Sequence, residues 1–222
     1  MLRQFLLGCL LLLNGTGLLA SPTTLTIDEQ TKLPFWPSTS HSAGGLLLVQ
    51  GTNSHAQHLL TTLAEILSKR GWSVAVVPSS LSSDKFTEQL SSYLAILRQE
   101  TQLKIGIIWY GDDYHQLLHY FSQPQAKQVS GLVLISAFQY PDVKVNDPWQ
   151  IRFPVLDIVG QFDNRLVIKD YSQRQFLFDK NYYFKRTIPG AGPDYHYQEN
   201  HLSAEVDNWL TKVPSPKIGR VF

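Results

Sequence analysis

The chain has almost no cysteine: one residue in 222, Cys9, and that one lies inside the N-terminal apolar run. A chain cleaved after that run has no thiol, which excludes disulfide staples, thiol nucleophiles and cysteine metal sites. There is also no excess of either charge. Nineteen basic residues stand against 18 acidic ones, for a formal net charge of +1, and no block of like charge interrupts the chain. Nucleic acid and anionic membrane surfaces are therefore not expected partners. Only one apolar run stands out, Phe5–Leu13, and it is too short for a membrane span. The loop Gln50-Gly51-Thr52-Asn53 has no second glycine at phosphate-cradle spacing and no Gly-Lys-Ser/Thr, which weakens a nucleotide-binding reading. No internal repeat is visible.

What is present begins with an export signal. Arg3 supplies a positive start, Phe5–Leu13 the apolar segment, and Asn14-Gly15-Thr16-Gly17 a loosening before Leu18-Leu19-Ala20-Ser21. Cleavage near Ala20 is expected, although Leu18 is larger than the residue usually found three before the cut. Leu6-Leu7-Gly8-Cys9 superficially resembles a lipoprotein cleavage box, but most of the apolar run follows it instead of preceding it. The expected destination is the periplasm or the exterior, with no stable membrane span after cleavage.

The remaining chain, about 200 residues, is long enough to bury one full core without covalent help. Residues 21–44 read as a weak edge strand (Thr24 to Ile27 alternate) followed by a loop over Leu33–Gly44. Residues 45–212 read as one domain, and 213–222 as a flexible tail. Within the domain, Gly45–Val49, Ser73–Val77, Lys104–Tyr110, Gly131–Ser136, Val155–Val159 and Tyr183–Ile188 are short apolar or alternating strands. Between them, Leu59, Leu63, Ile66 and Leu67 mark one helix, ended by Lys69, Arg70 and Gly71. Phe86, Leu90, Tyr93, Leu94 and Leu97 form the stripe of a second over Asp84–Glu100. Further helices are expected from Tyr114, around Lys169–Asp179, and along Leu202, Val206, Trp209 and Leu210. Strands alternating with helices predict an α/β fold: a mostly parallel central sheet with helices on both faces and, with few residues between the later strands, no large lid.

In such sheets ligands sit at the carboxyl ends of the strands. There the chain carries Gly111-Asp112-Asp113-Tyr114-His115, then Gly160-Gln161-Phe162-Asp163-Asn164, then Pro189 to Tyr197 with His196. In this order and spacing the chain resembles the α/β-hydrolase superfamily, over roughly Gly45 to Leu210. The segment LLLVQGTNSHAQHLLTTLAEILSKRGWSVAVVPSSL is similar to the opening of an uncharacterised family of exported bacterial α/β-hydrolase-like proteins. The strand–Gly-x-nucleophile-x-small–helix turn of the superfamily would place a serine at 113. Here Asp113 occupies that position and His115 replaces the second small residue. The resemblance implies Asp163 as triad acid and His196 as general base. It also implies an oxyanion hole of backbone donors from Tyr114 and from the loop at Gly51, Thr52 and Asn53.

An aspartate at the elbow tolerates its strained backbone and can attack carbon to form an ester that water releases. No other serine has an elbow around it: Ser136 ends a strand and Ser54 starts a helix. Asp112, Asp113, His115 and His119 cluster, with the two histidines four apart, but without the glutamate of a zinc hydrolase motif, so no metal or other cofactor is assigned. Two readings remain. One is a hydrolase of a small ester-like substrate using Asp113, Asp163 and His196. The other is a non-catalytic descendant that binds a small molecule or partner. Tyr140 and Trp149 suit a small flap or an edge shield.

Overall fold

The computed structural model describes residues 22–52, 56–81, 86–101, 103–123, 129–140, 151 and 153–214. The leader with Cys9, Asn53 to His55, Trp149 and the tail from residue 215 lie outside the described residues. Eight strands form one sheet: β1 Thr23–Thr26, β2 Lys32–Trp36, β3 Gly44–Gln50, β4 Trp72–Val77, β5 Ile105–Asp112, β6 Gly131–Phe138, β7 Val155–Gly160 and β8 Tyr183–Ile188. Among the described residues five α-helices join them: α1 Gln57–Lys69, α2 Phe86–Thr101, α3 His115–Ser122, α4 Arg165–Arg174 and α5 Glu199–Lys212. The strand order is β1-β2-β4-β3-β5-β6-β7-β8. The pairs β1/β2 and β2/β4 are antiparallel and every other pair is parallel.

The continuous apolar runs are explained by cover on both faces. In β3, Leu47 and Val49 join a core with Phe86, Leu90 and Leu97 of α2 and Leu117 and Leu118 of α3. Leu46 and Leu48, one residue out of phase, join a second core with Leu59, Leu63 and Leu67 of α1 and Leu202, Val206 and Leu210 of α5. The period-2 alternation of the strand thus feeds two cores at once.

Two expectations need correction. The stretch read as a loop from Leu33 contains β2, whose Leu33, Phe35 and Trp36 are buried. Pro34 hid the strand. Pro34 stands opposite Thr24 in the β1/β2 ladder, but β2 pairs with β4 only at Phe35 and Trp36, so no β4 partner stands opposite the residue that lacks an N–H. The helix placed around Lys169–Asp179 runs earlier, over Arg165–Arg174, because Asn164 caps it by accepting a 2.9 Å bond from the Val167 N–H. The residues it buries are Val167 and Arg174, the second of them a charge.

That arginine answers a charge in the sheet. Asp157 alternates with Leu156 and Ile158 in β7, so its carboxylate faces the opposite core. Arg174 grips it in two bonds, Nε to Oδ2 at 2.7 Å and Nη2 to Oδ1 at 2.9 Å, and Nη1 donates to the Ala137 carbonyl at 2.6 Å. The Tyr183 hydroxyl donates to the same carboxylate. Both charged side chains are fully buried. Removing one partner leaves an uncompensated buried charge, so Arg174→Met should lower the unfolding free energy by about 3–5 kcal/mol. Arg174→Met with Asp157→Leu should recover most of that loss in urea denaturation.

Candidate functional site at the carboxyl edge

The turn after β5 is built by sterics. Ladder register shifts between Tyr110 and Asp112, and Gly111 takes φ 91°. Asp113 then enters the left-handed region at φ 61°, where Asp is better tolerated than most side chains. The buried Trp109 indole donates to the Asp112 carbonyl at 2.8 Å and pins the turn from below. Tyr114 caps α3, its carbonyl accepting from the N–H groups of Leu117 and Leu118 at 3.1 and 3.2 Å. Gly51 lies against this turn. A Cβ there would stand 2.4 Å from Asp112 Oδ1 and 2.5 Å from the Asp112 carbonyl oxygen, so only glycine fits. The strand–turn–helix with a strained central residue is the elbow geometry expected from the sequence.

The side chains around Asp113 are arranged differently from a working triad. Thr52 Oγ1 lies 2.6 Å from Asp113 Oδ2 and 3.1 Å from Asp112 Oδ2, one hydroxyl between two carboxylates. The Gly51 N–H donates to the Tyr110 carbonyl at 2.8 Å and is engaged in backbone pairing. No hydrogen bond from the Tyr114 N–H is found among the described residues, so it remains available as a donor beside Asp113. His115 is half-buried, and its Nδ1 has no partner among the described residues. His119 is exposed, its Nε2 3.4 Å from Gln123 Nε2. Among the described residues no group of three or more His, Cys, Asp or Glu side chains is placed to hold a metal ion.

Asp163 sits at the tip of β7, as an acid residue of the superfamily would, but its partners are others. Oδ2 accepts from the Ser136 hydroxyl and, at 3.1 Å, from the Gly160 N–H. Oδ1 accepts from the Asn164 N–H at 3.0 Å. Ser136 also meets the Tyr195 hydroxyl at 2.9 Å, and Tyr195 is fully buried. His196 points the other way. Its side chain is 57% exposed, Nδ1 lies 4.0 Å from Glu199 Oε1, and its ring leans on Tyr197 at 3.7 Å between centroids. Among the described residues no hydrogen bond links His196 to Asp163 or to Asp113.

Sequence reading singled out Asp113, Asp163, His196, Gly51, Thr52 and Tyr114; the fold gathers Asp113, Thr52, Gly51 and Tyr114 at one turn and leaves His196 exposed beside Glu199. It missed Ser136 and Tyr195. Tyr195 differs from the expected base by one position in a turn where Tyr195 and Tyr197 both adopt left-handed backbone, φ 53° and 63°. Only the clustering of Ser136 at the same strand edge pointed to it.

Comparisons with known proteins agree on the scaffold. No protein-family model matches the chain, and no curated protein matches its sequence. Among solved structures it is similar to Est1E from Butyrivibrio proteoclasticus, with TM-score 0.64 at 11% identity, covering 86% of this chain and 97% of that one. A predicted CIB-like hydrolase from Thermoplasma acidophilum superposes at 0.63 and 12% identity over 86% and 97%. A dienelactone hydrolase from Anabaena variabilis superposes at 0.60 and 17% identity over 85% and 94%. The fold is that of an α/β hydrolase.

Two outcomes follow from this geometry. Thr52→Val removes the hydroxyl shared by two carboxylates and should cost about 1–3 kcal/mol of stability, which Thr52→Ser should restore in chemical denaturation. Burial raises the Asp163 carboxyl above its ordinary 3.8, against the hydrogen bonds from Ser136, Gly160 and Asn164. A raised native pKa means that the folded state binds the proton more tightly. This contribution is full below 3.8 and lost as pH rises through the higher native value. The fall in stability above pH 3.8 should be shallower in Asp163→Asn than in the natural chain, measured by thermal unfolding across that range.

Proposed function

We propose that this is an exported α/β-hydrolase-fold protein that works by binding at the carboxyl edge of its sheet and does not hydrolyse what it binds. The observation that carries the reading is the state of the acid turn. Asp163 is engaged by Ser136, Gly160 and Asn164, Tyr195 fills the interior beside it, and His196 faces solvent next to Glu199. A general base needs its acid on the far ring nitrogen and the nucleophile within hydrogen-bond reach. Neither contact supports His196 in that role, and the elbow carries no serine. Hydrolase activity among the structural neighbours speaks for the scaffold's history, since function belongs to the site.

The test is direct. The protein should show no turnover on p-nitrophenyl ester panels, and a fluorophosphonate should label it no better than its heat-denatured form. Asp113→Asn and His196→Ala should keep wild-type melting temperature and any ligand-induced stabilisation. Ester turnover lost in both variants would overturn the reading.

One observation favours the hydrolase alternative. Asp113 keeps the left-handed elbow backbone, φ 61°, beside the Tyr114 N–H. In that mechanism the Asp113 carboxylate attacks an alkyl carbon of the substrate, forming an ester as the bond to the leaving group breaks and that group departs with its electron pair. Water deprotonated by His196 then cleaves the new ester and regenerates the acid. Its signature is distinct: Asp113→Asn inactive with no adduct, and His196→Ala accumulating a covalent adduct visible as added mass.

Export rests on the N-terminal sequence. A mature protein recovered from the periplasm should begin near Ser21, and an N-terminal lipid on Cys9, seen by mass spectrometry, would overturn that part.

A further inference from the structure

A second candidate site lies at the opposite end of β7 from Asp163. A groove of about 360 Å³ opens between β7, β8 and α5, within the size range of small-molecule sites. Its walls begin at Pro154, one residue before β7, and include Leu156 and Phe184. Asp163 lies beyond the other end of that strand, so the groove is separate from the elbow and independent of the reading proposed for it.

The floor is aromatic and held in place. Phe184 and Trp209 meet edge to face, with centroids 6.2 Å apart and planes at 64°. The six-membered ring of Trp209 packs on Gly131, where an added Cβ would stand 2.9 Å from two of its carbons. Phe184 is 41% exposed. Phe184 and Arg186 lie two apart on β8, so they share its face, and Lys212 comes from the last turn of α5. Among the described residues the Lys212 side chain makes no hydrogen bond or ion pair. Arg186 contacts Glu205 at 3.6 Å, which neutralises the one acid in the groove, and Glu205 also lies 3.9 Å from His201. The end of α5 is closed by another cation: Lys104 Nζ donates to the carbonyls of Leu210, Thr211 and Val213 at 3.2, 3.0 and 3.2 Å. These three bonds fix the lip from which Val213 and Pro214 line the groove.

An apolar, ring-lined floor with uncompensated positive charge at its rim has a definite complement. We propose that this groove binds a small amphiphilic anion, an aromatic or short aliphatic carboxylate, with its apolar body on Phe184 and Trp209 and its acid group at Lys212 and Arg186. Lysine and arginine to carboxylate are the strong, charge-assisted contacts, and the aromatic body excludes water from them.

The probe is 4-phenylbutyrate, with the neutral 4-phenyl-1-butanol as its control. Titration of 4-phenylbutyrate should change tryptophan emission saturably, and the change should vanish in Trp209→Phe while the other tryptophans remain. Binding should weaken by about tenfold or more in Lys212→Glu, and again with Arg186→Gln added, at unchanged melting temperature. On the natural protein the alcohol should bind at least about tenfold more weakly than the acid. Equal affinity for alcohol and acid would overturn the anion assignment without any variant. A signal that survives Trp209→Phe would overturn the location. No saturable response to either probe would overturn the site itself. None of these outcomes bears on whether the carboxyl edge binds or hydrolyses.

Discussion

A carboxylate in the middle of a buried parallel strand is a problem that the surrounding structure has to solve. Asp157 lies on β7 with apolar neighbours on both sides, and its only adequate partner is a guanidinium that can fork around it. Placing Arg174 there sets the position of α4 against β6 and β7. The same guanidinium reaches the Ala137 carbonyl at the end of β6, contacts Asp170 Oδ2 at 3.3 Å, and stands 5.2 Å over the ring of Tyr114. Asp170 in turn accepts the Gln139 N–H at 2.8 Å and the Tyr114 hydroxyl at 3.4 Å. Burial works against the charge of Arg174, but Asp157 beside it outweighs that and holds its pKa above the ordinary arginine value. One ion pair therefore links three strands, a helix and the residue after the elbow. Such a pair contributes less to net stability than to holding one arrangement, since an apolar replacement of both partners is often neutral.

Above that network, the carboxyl edge is shaped by close backbone approach. Gly51 has no room for a Cβ against Asp112, and Gly111 and Asp113 both hold positive φ. These are constraints on an elbow, and they persist here without the serine that usually exploits them. The strain at Asp113 is tolerated because β5, the Trp109 indole bond and the first turn of α3 over-determine the turn.

Much of this was legible in the chain. The α/β class, seven of the eight strands found among the described residues and the elbow turn follow from short apolar runs, their alternation and the Gly-Asp-Asp junction. β8 begins and ends where the pattern placed it, at Tyr183 and Ile188. What was not legible depends on pairs distant in sequence. Pro34 concealed β2 because local preference disfavours proline in strands, and only the short β2/β4 ladder makes it acceptable. The bounds of α4 were not legible either, since one of the two residues it buries is Arg174, a charge that local pattern gives no reason to bury. The lone aspartate in Val155-Leu156-Asp157-Ile158-Val159 was the signal for it, since a charge in a buried run demands a partner somewhere.

The acid turn shows why site roles are harder to read than folds. A carboxylate accepts about four hydrogen bonds, and Asp163 has three of its positions taken by Ser136, Gly160 and Asn164. Whether the last acceptor position meets an imidazole depends on one torsion in a turn, and consecutive side chains of a turn point apart. With Tyr195 at φ 53° its ring goes inward to Ser136, and His196 is then carried outward to Glu199. A shift of one residue in that loop would exchange the two. Composition and order specify an acid, a histidine and a turn residue in sequence, but the choice between tyrosine and histidine in the interior is made by packing. Burial holds the Tyr195 phenol well above its ordinary pKa, so the tyrosine enters the interior beside Ser136 as a neutral hydroxyl.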